Sequence, residues 1–307
     1  MSWDRRGLLF APPAGLAWMK THAALPTAEA VEGGFHRVYF SGRDERGRAR
    51  IGWAEVDLRR PQAPPREFSA APALDLGALG AFDDHGVTTS WIVEEGGRKY
   101  QYYTGWSLGV TVPFYLAVGL ALSDDGGATW RRHSPGPLLP RDAADPYLTA
   151  SPCVLVEGGV WRMWYVSATR WVMEEGGPKH YYNIRYAESE DGLRWRRTGH
   201  VCIDYAGPDE HAIARPCVVK DGALYRMWYC HRGAAYRIGY AESRDGLLWE
   251  RHDAEGLAPA ASGWDAEMTA YPFVLDAGGV RYMLYNGAGY GRSGVGVAVA
   301  APAGHAR

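Results

Sequence analysis

The 307 residues carry 33 Lys and Arg against 35 Asp and Glu, a formal charge of −2, so no long-range field gathers nucleic acid or an anionic membrane. No basic run tracks phosphates, and no stretch approaches the roughly 18 apolar residues of a membrane span. The 47% hydrophobic content, with 13 Trp, 19 Tyr and 39 Gly, suits many short aromatic strands joined by tight turns, an all-β class.

The chain opens Ser2-Trp3-Asp4-Arg5-Arg6-Gly7, with no apolar core leading to a cleavage site, which reads as a cytoplasmic protein. A phrase then recurs five times: a Pro-centred apolar run, a Gly-rich turn and an aromatic run. Its anchors are Pro26, Ser90, Pro152, Pro216 and Pro272, spaced by 64, 62, 64 and 56 residues, the period of a propeller blade. The turns are assigned to Gly33-Gly34, Gly96-Gly97, Gly158-Gly159, Asp221-Gly222 and Gly278-Gly279, each closing a β-hairpin.

A third run follows in each copy, starting at Arg50, Leu116, Ile184, Arg237 and Gly294. In three copies a fourth element comes next. Ser123 to Trp130 fits S-x-D-x-G-x-T-W, an Asp-box, while Ser189 to Trp195 and Ser243 to Trp249 are shortened forms. The Asp of such a turn caps backbone N–H groups and its Trp packs between blades. The first copy has instead the Ala- and Pro-rich segment Ala63 to Leu79, read as a surface connection.

The last copy lacks a fourth strand, and Trp3-Asp4-Arg5-Arg6-Gly7 resembles Trp195-Arg196-Arg197-Thr198-Gly199 after the third copy's turn. The expectation is one domain over residues 1–307, an all-β five-bladed β-propeller of four-stranded antiparallel blades whose ring is closed by the N-terminal strand. Period-two patterning leaves no helix of consequence. Cys153 and Cys217 each follow a proline at equivalent strand positions, and no Cys-x-x-Cys pair occurs, so the four cysteines read as reduced and structural.

Hairpin turns at one end of each blade bring first-strand starts and second-strand ends together at the other, around a funnel. The first-strand starts carry Lys20 and His22, then Asp84 and His85, then Asp145, then Glu210, His211 and Arg215, and finally Glu267 and Tyr271. The second-strand ends carry Arg43, Trp106, His231 and Arg232. Rings for stacking, charged groups for hydroxyls and paired carboxyls for acid and base roles point to a small-molecule carbohydrate substrate. No cofactor signature is present, and the pattern leaves the oligomeric state open.

With five blades, S-x-D-G-x-x-W turns and aromatic pairs such as Trp164-Tyr165 and Trp228-Tyr229, the chain resembles the five-bladed propeller glycosidases. These include the arabinanase and xylosidase, invertase and levansucrase, and mannoside phosphorylase families. The resemblance implies a carbohydrate-active enzyme, a glycoside hydrolase or phosphorylase acting on a small or anionic glycoside, with Lys20, Arg43, Arg215 and Arg232 as candidates to hold an anionic sugar, a phosphate or a sugar acid, and with acidic residues on the inner strands. Asp84 and Glu210, each six residues before an anchor, and Asp145, seven before, match those positions. Lys20 stands where the first-blade acid is expected.

The reading makes Glu210 the general acid, its pKa raised by partial burial, and Asp84 the base or stabiliser. His22, His85 and His211 orient the substrate, and Arg215 binds an anionic or hydroxyl group. Two alternatives stand beside it. The missing first-blade acid favours a non-catalytic sugar-binding propeller. A metal held by some of His22, His85, Glu210 and His211 is the other, although no metal-ligand spacing such as H-E-x-x-H occurs and no metal is expected.

Overall fold

The computed structural model describes residues 2–301. The fold is all-β, with two 3-10 turns as its only helical elements among those residues. No helix among them is long and apolar enough to cross a membrane.

After β1 (Trp3–Phe10), the strands fall into antiparallel groups of four. The first unit holds β2 (Thr21–Ala30), β3 (His36–Arg43), β4 (Ala49–Val56) and β5 (Glu67–Phe68). The second holds β6 (Gly86–Glu95), β7 (Arg98–Leu108), β8 (Phe114–Ser123) and β9 (Arg131–Arg132). The third comprises β10 (Thr149–Glu157), β11 (Val160–Glu174), β12 (Gly177–Ser189) and β13 (Arg196–Ile203). The fourth comprises β14 (Ala212–Asp221), β15 (Leu224–Arg232), β16 (Tyr236–Ser243) and β17 (Glu250–Arg251). In the fifth, β18 (Ala270–Ala277), β19 (Val280–Asn286) and β20 (Val295–Ala300) are completed by β1, with Asp4 opposite Val299 and Leu8 opposite Gly296.

Turn chemistry sets the hairpins. Gly96-Gly97, Gly158-Gly159 and Gly278-Gly279 all take positive φ, as two-residue turns matching strand twist require. Two turns differ from the sequence reading. Asp221 pairs with Leu224, so the fourth loop is Gly222-Ala223, and the first runs from Val31 to Phe35 because Ala30 pairs with His36. The segment from Ala63 to Leu79 is also more than a connection. It supplies β5, whose Phe68 lies edge-on to Phe10 and Phe40, and Leu74, which bridges to Ile51.

Neighbouring units lock through aromatic side chains reaching into adjacent turns. Tyr102 Oη donates to the Gly192 carbonyl at 2.8 Å and Trp164 Nε1 to the Gly246 carbonyl at 2.7 Å. A Cβ at Gly192 would lie 2.8 Å from both Trp161 and the Tyr102 hydroxyl, so glycine is required there by space as well as by its φ of 71°. The aspartates of these turns act as caps: Asp125 accepts from Thr129 N, and Asp191 and Asp245 each accept from two backbone N–H groups. The cysteines are free and buried, and burial pushes the Cys202, Cys217 and Cys230 thiols up to about 12.

Candidate functional site

The first strands β2, β10, β14 and β18 carry the same irregularity. Leu25, Ser151, Arg215 and Tyr271, each directly before a proline, have φ between 46° and 58° and sit at a bulge in the ladder. Left-handed backbone at non-glycine residues costs about 1–3 kcal/mol each and persists where the surroundings over-determine it. Leu25, Ser151 and Tyr271, with Ala214 next to Arg215, line one pocket.

A central pocket of about 260 Å³ opens there, and all five units line it. Leu25, Thr88, Ser151, Ala214 and Tyr271 come from the five first strands. Arg43, Thr104 and Trp106 arrive at the ends of second strands. Phe114, His180, Tyr182 and Tyr236 arrive at the starts of third strands. The His180 imidazole stacks on Tyr182 with centroids 4.7 Å apart and 2° between planes, and the Tyr182 and Tyr236 hydroxyls hydrogen-bond to each other. Arg43 Cζ lies 5.7 Å over the Trp106 ring. No Asp or Glu is among the residues lining this pocket.

His180, Tyr182, Tyr236 and Phe114 were missed in the sequence because third-strand starts were not counted toward the funnel. The signal was there: Lys179-His180-Tyr181-Tyr182 leads into the Ile184 run, and alternation places His180 and Tyr182 on one face. The hairpin of β11 and β12 extends beyond its counterparts and carries these residues.

Cationic side chains lie near the histidines around the pocket. Burial and Arg43 hold His22 down at about 4, and burial with His211 and Arg232 holds His180 at about 4. His211 is lowered by burial, Lys179 and Arg232, so these imidazoles are neutral at pH 7.

Of the residues expected at the site, Arg43, Trp106 and Tyr271 line the pocket, and His85 stands edge-on to Trp106 at 5.2 Å. His22 is buried beside Thr21, and His211 packs against His180 and Tyr181. Arg232 lies 5.3 Å over the Tyr236 ring. Lys20 is exposed, 3.7 Å from Glu45, and the Glu267 side chain is exposed outside the pocket. Asp84 accepts from Gly80 N in its own loop.

Three of the expected residues sit in surroundings that differ from the sequence reading. Glu210, expected to be a raised-pKa acid, is gripped by Arg251 through two 2.9 Å contacts and by His231 Nδ1 at 2.9 Å. Although burial opposes it, the hydrogen bonds from His231 and Arg251 hold its carboxyl well below the usual range. Asp145 is fully buried, accepting from Tyr165 Oη and Arg197 Nη1, both at 2.9 Å. Arg215 is buried and donates to Pro26 O, Thr27 Oγ1, Thr89 O and Ser90 Oγ, which ties the fourth unit to the first two.

Asp145 belongs to a repeated clamp. Asp83 accepts from Tyr103 Oη and Arg132 Nε, and Asp265 accepts from Tyr285 Oη and Arg5 Nε. Each Tyr lies 20 residues after its Asp, and each Arg two residues after Trp130, Trp195 or Trp3. In the fourth unit Asp253 takes the carboxylate's place, receiving Tyr229 Oη and Arg251. In the first unit Phe40 and Phe68 stand at the Tyr and Arg positions and pack with Phe10. Asp83, Asp145 and Asp265 therefore serve cohesion between strands and are not among the residues lining the pocket.

Among the described residues, Glu210, His231 and Asp253 form the group close enough to share a metal ion. Arg251 Nη2 already bridges both carboxylates, at 2.9 Å from Glu210 and 2.6 Å from Asp253, so a cation there competes with a guanidinium.

Two proteins of Mycobacterium tuberculosis share 45% identity with the chain over 300 residues, 97% of this chain and 99% of theirs. They are "Uncharacterized protein MT1551" of strain CDC 1551 / Oshkosh and "Uncharacterized protein Rv1502" of strain ATCC 25618 / H37Rv. The chain belongs to their family. No protein-family model matches it.

Among solved structures, a glycosyl hydrolase from Bacteroides ovatus superposes with a TM-score of 0.73 at 14% identity, covering 98% of this chain and 94% of that one. A thermostable family-43 glycoside hydrolase superposes at 0.70 and 16% identity, covering 95% and 96%. An exo-1,5-α-L-arabinanase from a bovine ruminal metagenomic library gives 0.62 and 13%, covering 94% and 95%. The chain thus shares the all-β fold of glycoside hydrolases, and at these identities the likeness is one of fold.

Proposed function

We propose that the chain is a single five-bladed propeller closed by β1, and that its central pocket binds a saccharide without hydrolysing it by a two-carboxylate mechanism. The observation that carries this reading is the lining of the pocket. Trp106, Tyr182, Tyr236 and Tyr271 offer ring faces and hydroxyls for a sugar, while no carboxylate is among the side chains that line the cavity.

Hydrolysis by paired carboxyls needs one acid and one base or nucleophile flanking the bond. Glu210 is held ionised by Arg251, and Asp145 is enclosed by Tyr165 and Arg197. Neither can approach a ligand without breaking the ion pair that positions it.

The reading is tested by titrating the protein against an oligosaccharide panel while assaying released sugars. Saturable binding that is lost in Trp106→Ala and Tyr271→Ala, with no product formed, is expected. Release of a sugar at a rate dependent on any carboxylate would overturn the non-hydrolytic assignment.

A further inference from the structure

Arginine withdrawn from solvent in this protein finds acceptors: carbonyl and hydroxyl oxygens for Arg215, and carboxylates for several others. Arg37 binds Glu55, Arg50 binds Asp44, Arg185 and Arg197 bind Asp145, and Arg281 binds Asp221. Carboxylates are not scarce, with 35 Asp and Glu against 33 Lys and Arg.

Two half-buried arginines differ, one lining the pocket and one stacked on Tyr236, which lines it. Arg43 lines the cavity, and neither its guanidinium nor that of Arg232 has a carboxylate within ion-pair distance among the described residues. Among those residues their close side-chain partners are rings: Trp106 for Arg43, and Tyr236 and Tyr290 for Arg232. Arg232 Nε is buried with no hydrogen-bond acceptor among them.

The acid adjacent in sequence, Asp44, does not serve Arg43. Its carboxylate accepts from Arg48 Nε and Arg50 Nη1, both at 2.9 Å, and from the backbone N–H groups of Arg46 and Arg48. A third cation, Arg292, lies near enough to Arg43 and His22 to disfavour their protonated forms. One guanidinium in the cavity wall and a second stacked on the ring of Tyr236, which lines it, both withdrawn from solvent and neither paired with a carboxylate, make a seat for negative charge.

Resting on the saccharide reading above, we infer that the pocket selects acidic saccharides, with Arg43 holding the carboxylate or phosphate and Arg232 adding to the positive field. The aromatic walls hold the sugar ring. The anionic group stands in for the acceptors that buried arginines elsewhere in the fold already have, carboxylates for most of them and carbonyl and hydroxyl oxygens for Arg215.

Calorimetric titration of the full chain with glucose, galactose, glucuronate, galacturonate, glucose 6-phosphate and inorganic phosphate, at low and at physiological salt, tests this. An acidic sugar binding at least tenfold tighter than its neutral parent, with the advantage shrinking in salt and lost in Arg43→Gln, supports the inference. Uronates and the sugar phosphate separate carboxylate from phosphate recognition. Equal affinity for acidic and neutral sugars overturns it and leaves the saccharide reading intact. Inorganic phosphate matching glucose 6-phosphate overturns the saccharide reading and keeps the anion seat, and no binding by any acidic sugar overturns the inference. If Arg43→Gln does not fold, the salt dependence of the unaltered protein and Arg232→Gln give the same decision.

Discussion

Arg251 grips Glu210 with two parallel hydrogen bonds, Nη1 to Oε2 and Nη2 to Oε1, both 2.9 Å long. The pair fastens the start of the fourth unit to its outermost strand. Glu210→Gln should therefore spare ligand binding and cost about 1–3 kcal/mol of stability at pH 7. Because the folded carboxyl is depressed, its stabilisation is present above the ordinary value near 4.3 and is lost as pH falls through the folded value. The gap between wild type and variant should narrow below about pH 4. Denaturant melts at pH 7 and pH 3 measure it, and a variant that loses the ligand would return Glu210 to the site.

Trp106 owes its pose to Gly86. A Cβ at position 86 would fall 1.1 Å from Trp106 Nε1, an impossible overlap that only movement of the indole can relieve. Gly86→Ala should weaken ligand affinity at least about tenfold, or about 1.4 kcal/mol, while leaving the other units folded. A binding isotherm and a thermal melt report the two effects; unchanged affinity would remove Trp106 from the binding wall.

Arg215 crosses from the fourth unit to four acceptors on the first two. Arg215→Met keeps much of the volume but strands buried acceptors, and a loss of about 3 kcal/mol or more is expected. Arg215→Lys should not rescue it, since one ammonium cannot span the same acceptors. Thermal melts decide, and rescue by Lys would argue for charge alone.

Removal of residues 2–10 deletes the strand beside β20 and also Arg5, the partner of Asp265. The fifth unit then exposes an edge, and a fall of many degrees in Tm or aggregation should follow. An unchanged Tm would count against closure by β1.

His22 and His180 are both held at about 4, against 6.5 in an unfolded chain. Between these values the unfolded state binds more protons, so stability should decline as pH falls from 6.5 toward 4, by up to about 1.4 kcal/mol per pH unit for each imidazole. His180→Gln should flatten that slope. A slope indifferent to this substitution would mean His180 titrates normally.

The repeat was legible because its causes are local. Glycine pairs with positive φ, alternating apolar residues and the Pro-centred bulge act within a few positions, and so could be read along the chain. The Asp-box aspartates were likewise readable as caps, since Asp191 and Asp245 bind N–H groups two and three residues away. The clamps were partly legible too. The Asp-to-Tyr interval of 20 residues and the Trp-x-Arg pattern are both present along the chain, but nothing local joins one to the other.

The sequence by itself determined an all-β chain of repeated hairpins, with Arg43, Trp106 and Tyr271 at one end of the strands. Only the tertiary structure decided which polar side chains face the pocket. Asp83, Asp145 and Asp265 turn toward a tyrosine on the next strand and an arginine on the outermost one, partners remote in sequence. Residues with similar positions and charge thus part company: buried carboxylates find guanidiniums and become cohesive, while Arg43 and Arg232 find none among the described residues. A strand start can be located from local pattern, but the direction of its side chain depends on which opposite charge the fold brings within reach.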